Sequence, residues 1–202
     1  MNETWLNTAD VTDFMNSVQV VKEDSKHVTQ APKSRHTWLM TSPDHEHAYT
    51  ATFETQVLAF IDQHREMLAA SLEGLTEDEV RRRLVPSRTT LLGLVKHAAF
   101  VERVWFQQAR TGISRAILGI PESPDESFVL EETDSISSVV EDFKNACVES
   151  REAMVGVTAE TVWTGNRRGP LPVQWILLHV LRELAQHCGH ADILREQILA
   201  AR

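Results

Sequence analysis

The chain has 202 residues and a formal net charge of −9, with 42% hydrophobic and 24% charged residues, an ordinary composition for a globular protein. The acidic balance and the lack of a basic stripe argue against nucleic-acid binding, and no apolar run approaches the ~20 residues that span a bilayer. Two cysteines predict no disulfide scaffold, and the first residues lack the pattern of a secretory signal, so we expect a cytoplasmic protein.

Residues 1–48 differ in composition from the rest of the chain. They mix polar and charged residues with only isolated apolar ones, which predicts a poorly ordered N-terminal extension. The segment Asp44–His47 looks like a metal motif, but we interpret it as a polar tail because nothing rigid orients those side chains. The folded domain is expected to cover residues 49–202.

The first predicted helix begins near Thr52, where apolar residues start to recur at three- and four-residue steps, and it closes near Gly74. Thr76 and Glu79 match a capping box, which predicts a short helix that ends before Pro86.

A second long helix is predicted from Thr89 or Thr90 to about Thr111, with Gly112 as its stop. His97 lies on its apolar stripe. The connection that follows, residues 112–135, contains two prolines and is long enough to suggest a functional role, such as covering a pocket mouth.

Two more long helices complete the predicted set. One covers about 136–157, and the other begins at Pro172 and runs to about Ala200, with a turn at Gly165–Pro170 (GNRRGP) between them. No convincing strand pair is visible. We therefore predict an all-α protein, a four-helix bundle with an N-terminal extension.

The last helix carries four side chains that can bind a metal. His179, Glu183, His187 and His190 are separated by four, four and three residues, which places them on one face of a helix. Spacing alone allows any of them to be a ligand.

The smallest predicted set joins two helices. Glu183 and His187, one turn apart, can bind the same ion, and His97 from the second long helix completes a facial set with an open position. Singly, each residue is explained as well by a structural role, because a lone histidine on an apolar stripe is usually a hydrogen-bonded core residue. Jointly, several buried imidazoles and a carboxylate are costly without a cation. The donors fit zinc, nickel or iron, and the sequence does not choose among them.

His179 and His190 are the predicted catalytic residues. Each lies within one turn of the minimal set and is placed to bond a ligand, hold a metal-bound water or act as acid or base.

Three segments resemble one known family: FIDQHREMLAASLEGLTEDEVRRRLVPS (60–87), TLLGLVKHAAFVERVWF (90–106) and HVLRELAQHCGHADILRE (179–196). Over about 52–198 the chain is similar to the DinB/YfiT-like superfamily of metal-binding four-helix bundles, and most of all to an actinobacterial branch of uncharacterised DinB-like proteins. Glutamate at position 183 resembles mycothiol-dependent maleylpyruvate isomerase. The chain departs from related sequences after Glu196, where they often continue into an Asp-Gly segment.

The resemblance implies a divalent metal, often zinc or nickel, at His97, Glu183 and His187. It also implies homodimers, and a transfer of a low-molecular-weight thiol, mycothiol or bacillithiol, to an electrophile. Two alternatives stay open: a metal-dependent hydrolase that needs no thiol, and a non-catalytic stress-response module whose metal is structural.

Overall fold

The computed structural model describes residues 50–202, and the predictions for residues 1–48 and for Asp44–His47 lie outside the described residues. The described part is helical, with one very short strand pair. Its elements in chain order are helices α1 (Phe53–Ala70), α2 (Glu77–Val80) and α3 (Leu91–Glu102), a π-helical segment (Arg103–Gln108), α4 (Ala109–Thr111), a 3-10 turn (Glu126–Phe128), α5 (Ile136–Ala153), β1 (Val162–Trp163), β2 (Leu171–Pro172) and α6 (Val173–Ala200).

The four long helices form the predicted four-helix bundle. α1 packs along α6, α3 packs against both α5 and α6, and α1 also meets α5, so the four enclose one core. The core is made of fully buried apolar side chains, among them Ile61 on α1, Leu94 on α3, Phe143 on α5 and Leu184 on α6. None of the helices in the described range combines the length and hydropathy of a bilayer-spanning segment.

Local sequence sets several helix ends as predicted. The Thr90 hydroxyl accepts the Gly93 amide at the start of α3, and Thr76 forms the predicted capping box with Glu79. Gly112 adopts a left-handed conformation with φ of 72° and ends the helix that contains α4, as expected for a C-terminal glycine.

Three details differ from the sequence prediction. α2 is only four residues long, because the chain turns at Arg81 well before Pro86. The helix from Thr90 to Thr111 is not α-helical throughout, since Arg103–Gln108 widens into a π-helix. A strand pair is present after all, with Val162 opposite Pro172 and two residues in each strand, too short to produce a visible alternating pattern.

The strand pair carries the GNRRGP turn, which presses closely on the helix end beside it. The Gly165 amide donates to the Ala109 carbonyl at 2.9 Å. A Cβ atom at Gly165 would lie 2.3 Å from the Gly112 nitrogen and 2.4 Å from the Gln108 carbonyl oxygen. Only glycine allows this approach, which fixes the turn against the end of α4.

A buried ion pair joins α1 to α3. The Arg65 guanidinium donates two hydrogen bonds to the Glu102 carboxylate, at 2.9 and 2.6 Å, and Glu102 is fully buried. Arg65 also bonds Asp62 at 2.8 Å, and Arg151 on α5 reaches the same Asp62 carboxylate. The bidentate geometry compensates the desolvation of both charges.

Candidate metal centre

The contact between α3 and α6 brings the three residues of the predicted set together. His97 lies on α3, and Glu183 and His187 lie one turn apart on α6. One ligand atom from each lies within 4.8 Å of the others, a separation that a single bound ion can bridge.

His187 provides the test of whether this cluster fits a cation. Its side chain is buried, and neither ring nitrogen has a hydrogen-bond partner among residues 50–202. Its Nε2 lies 3.8 Å from Glu183 Oε2, too far for a hydrogen bond, and its ring centroid is 4.9 Å from that of His97. An unpartnered buried imidazole is costly, and a cation shared with His97 and Glu183 removes that cost. The residues present therefore fit a divalent metal.

His97 is oriented by the connection between α4 and α5. The Ser127 hydroxyl donates to the Pro124 carbonyl at 2.5 Å, so it accepts from His97 Nδ1, 2.6 Å away. This bond puts the imidazole proton on Nδ1 and leaves the Nε2 lone pair for a metal. The Phe128 ring stacks on His97 with centroids 4.0 Å apart. Burial, and to a smaller extent His187, lowers the pKa of His97 to about 3, so the ring is neutral near pH 7.

Glu183 is held by Arg182, its neighbour on α6, which also bonds His179. Arg182 Nη2 donates to Glu183 Oε1 at 3.1 Å and to His179 Nδ1 at 2.9 Å. Since arginine only donates, His179 Nδ1 is the acceptor and its proton sits on Nε2, 3.8 Å from the same Glu183 oxygen. These contacts orient the carboxylate toward the two imidazoles.

The two predicted catalytic histidines lie in different surroundings. The His179 ring stacks on Trp175 at 5.0 Å and lies 4.2 Å from the Trp105 ring, at the edge of a cavity beside the metal cluster. Burial lowers the pKa of His179. His190 is exposed, with its ring centroid 5.9 Å from that of His187, and it is not part of the cavity wall. Their catalytic roles stay predictions.

A cavity of about 240 Å³ opens beside the cluster, and His97 and Glu183 contribute to its wall. Trp105 reaches the wall from the π-helical segment, a type of helix distortion that is frequent at functional sites. Pro124 reaches it from the long connection, which fits the expectation that this connection covers a pocket mouth.

Sequence reasoning missed Ser127 and the cavity arginines as site residues. Ser127 lies in a connection singled out for its length, but its bond to His97 joins positions 30 residues apart, and no local pattern shows it. The GNRRGP motif was interpreted only as a turn, although its paired arginines were a visible signal.

Neither cysteine is placed to supply a reactive sulfur. Burial raises the pKa of Cys147 and that of Cys188 to about 12, which keeps both thiols protonated near pH 7. Cys188 instead packs against α1, where its Sγ lies 3.4 Å from the His64 carbonyl oxygen. A sulfur nucleophile at this site would have to come from a second molecule.

The sequence model of one family, described as mycothiol-S-transferase, matches residues 56–200 of the chain. The chain belongs to this family. The mycothiol S-transferases are a DinB/YfiT-like family, so the resemblance to that superfamily is confirmed. The match to the mycothiol S-transferase family runs from within α1 to the end of α6 and includes all three residues of the metal cluster. No curated protein matches the chain.

Proposed function

We propose that this chain is a metal-dependent S-transferase that transfers mycothiol to an electrophilic small molecule. The observation that carries the proposal is the convergence of His97, Glu183 and His187 within 4.8 Å, in a chain of the mycothiol S-transferase family. Zinc is the proposed ion, and nickel and iron also suit two imidazoles and a carboxylate.

A divalent ion held by His97 Nε2, Glu183 and His187 would supply Lewis acidity, which lowers the pKa of a coordinated thiol. The chain's own residues prepare the site for it. Ser127 keeps the proton of His97 on Nδ1, and Arg182 fixes the Glu183 carboxylate. The indole of Trp105 forms part of the cavity wall and limits access of water to the reacting atoms.

The transfer itself joins the mycothiol sulfur to carbon. The thiol gives up its proton to solvent, the sulfur lone pair forms the S–C bond, and in a displacement the leaving group departs with the electrons of its own bond to that carbon. We propose that His179 holds Arg182, which in turn binds Glu183, and that its ring faces the reacting groups from the cavity edge. A general-base role for His179 requires Arg182 to release Nδ1, because Nδ1 carries the acceptor lone pair of the neutral ring and Nε2 already holds the proton. We propose His190 as a second candidate for the acid–base role. Its side chain is exposed and does not line the cavity.

The ligand count favours a catalytic ion over a structural one. Within residues 50–202 only three donors converge at this cluster, whereas structural zinc sites close with four. Three protein ligands leave a position for a thiol. A metal-dependent hydrolase would use the same position for water, and the two activities differ in whether turnover requires a thiol.

The test is turnover of an alkylating electrophile with and without mycothiol, in the wild-type chain and in His187→Ala. We expect mycothiol-dependent turnover that falls at least about 100-fold in His187→Ala, because the variant removes a ligand. His64→Ala is the matched control, since His64 lies on α1 and its ring bonds only the Phe60 carbonyl among the described contacts. Equal activity in His187→Ala and wild type, or turnover that needs no thiol, would overturn the proposal.

A further inference from the structure

The cavity beside the metal cluster is strongly cationic, in contrast to the rest of the chain. Four arginines and a single carboxylate contribute to its wall, while the whole chain carries a net charge of −9. The carboxylate is Glu183, and the arginines are Arg115, Arg167, Arg168 and Arg182. Such a cavity attracts anions and repels cations.

Two of these guanidinium groups are already hydrogen-bonded to other groups of the protein. Arg182 binds Glu183 and His179, as described above. Arg115 donates through Nε to the Gln108 side chain at 3.2 Å and to the Glu122 carbonyl, and it lies over the Phe100 ring.

The other two arginines, Arg167 and Arg168, have no carboxylate partner within the range 50–202. Both belong to the GNRRGP turn. The Arg168 guanidinium lies 5.9 Å from the Trp105 ring centroid and 5.8 Å from that of Trp175. Cation–π contact with two indoles holds a guanidinium in place without using its N–H groups, which stay available for an oxyanion.

The turn that carries this pair is rigidly positioned. The Gly165 amide bonds Ala109, and the Arg168 amide bonds the side chain of buried Asn166 at 2.9 Å. His179 stacks on the same Trp175 that Arg168 covers, and His179 in turn lies 3.8 Å from Glu183. Two stacked rings, Trp175 and His179, therefore lie between Arg168 and the proposed metal ligand Glu183.

We propose that Arg168, assisted by Arg167, binds a carboxylate on the electrophile, so that the preferred substrates are small anionic electrophiles. This inference rests on the proposed function for its reaction and adds the substrate class. The arginines bind the carboxylate while the electrophilic carbon faces the cluster of His97, Glu183 and His187. In the transfer, sulfur bonds to that carbon, the leaving group takes the electrons of the broken bond, and the carboxylate is unchanged.

Binding of unreactive probes tests the anion site without requiring turnover. Titration calorimetry of the full chain with benzoate and with benzamide compares two ligands of the same shape that differ in charge. We expect benzoate to bind about tenfold or more tightly than benzamide, and the difference to disappear in Arg168→Gln, since a charge-assisted bidentate contact is worth about that factor. Arg82→Gln, an exposed arginine away from the cavity, is the matched control and keeps the difference.

Alkylation kinetics then connect the site to the reaction. Iodoacetate and iodoacetamide share the reacting carbon and the iodide leaving group, so kcat/KM for each is divided by its uncatalysed rate constant with mycothiol. We expect wild type to favour iodoacetate about tenfold and Arg168→Gln to lose that preference, with the KM for mycothiol unchanged.

The outcomes separate the two proposals. Charge-selective binding that depends on Arg168, with no turnover of either electrophile, keeps the anion site and overturns the S-transferase function. Turnover without charge preference keeps the function and overturns the anion site. A raised KM for mycothiol in Arg168→Gln would also overturn the inference, because it would place Arg168 on the thiol.

Discussion

The least expected residue of the candidate site is Ser127, which fixes the tautomer of His97 and leaves its Nε2 lone pair available for a metal. Its hydroxyl is committed as a donor to Pro124, so it can only accept from His97 Nδ1. Bonds of this kind to metal-ligating histidines fix the tautomer and the ring orientation. Ser127 therefore acts through His97 and does not itself touch the proposed ion.

Ser127→Ala is expected to weaken metal binding about 10- to 100-fold, because His97 loses both its orientation and its tautomer preference. Competition with a chromogenic chelator measures the affinity, and circular dichroism checks that the helical content is unchanged. Ser123→Ala, in the same connection but bonded to Glu126 instead, serves as control. An unchanged affinity in Ser127→Ala would show that the bond has no role in the site.

At the scale of elements, the buried Arg65–Glu102 pair locks α1 to α3 just before the π-helical segment begins. Glu102→Gln leaves the Arg65 charge buried with only Asp62 beside it, so we expect a loss of about 3–5 kcal/mol in the free energy of unfolding. Asp142→Asn is the matched control, because Asp142 also pairs with an arginine, Arg103, but at the surface, where such pairs contribute about 0–1 kcal/mol. Equal losses in the two variants, measured by urea unfolding, would contradict this account.

α2 is connected to the end of α6 by an ion pair that depends on pH. Arg202 donates to both Glu79 oxygens, at 2.8 and 3.0 Å. Hydrogen bonds from Arg202, and then from the Thr76 amide, lower the pKa of Glu79 from 4.5 to about 2. A lowered pKa in the folded state stabilises the protein above the unfolded value of 4.5, and this stabilisation is lost as pH falls toward 2.

The expected result is that Glu79→Gln melts at a lower temperature than wild type near pH 7. The difference narrows as the pH is lowered from 4.5 toward 2, because wild-type Glu79 then becomes protonated too. Thermal melts across this range measure it. A difference in melting temperature that stays constant over the whole pH range would show that the charge of Glu79 does not cause the stabilisation.

The ends of helices could be predicted from the sequence where residues close to those ends determine them. The caps at Thr76 and Thr90 and the stop at Gly112 follow from side-chain and backbone preferences within a few residues. The π-helical segment and the β1–β2 pair depend on packing between distant parts of the chain, and two residues per strand are too few to show a period.

At the scale of the whole molecule, the fold brings His97, Glu183 and His187 together beside a cationic cavity in an acidic chain. The proximity of these three residues was predictable because His97 and the pair Glu183–His187 lie on helix stripes that a bundle must turn inward, and their role as metal ligands stays a prediction. The positive charge of the cavity was not predictable from the sequence, because Arg115, Arg168 and Arg182 come from three separate segments. Homodimer formation stays a prediction.

The measurement that tests the central claim most directly is zinc titration of the metal-free full chain by isothermal calorimetry, beside Glu183→Gln. Gln keeps the size of the side chain but removes the charge that completes the donor set. We predict one zinc ion per wild-type chain, with affinity lowered at least about tenfold in Glu183→Gln. Wild-type stoichiometry and affinity in the variant, or no binding to the wild-type chain, would contradict the assignment of His97, Glu183 and His187 as a metal centre.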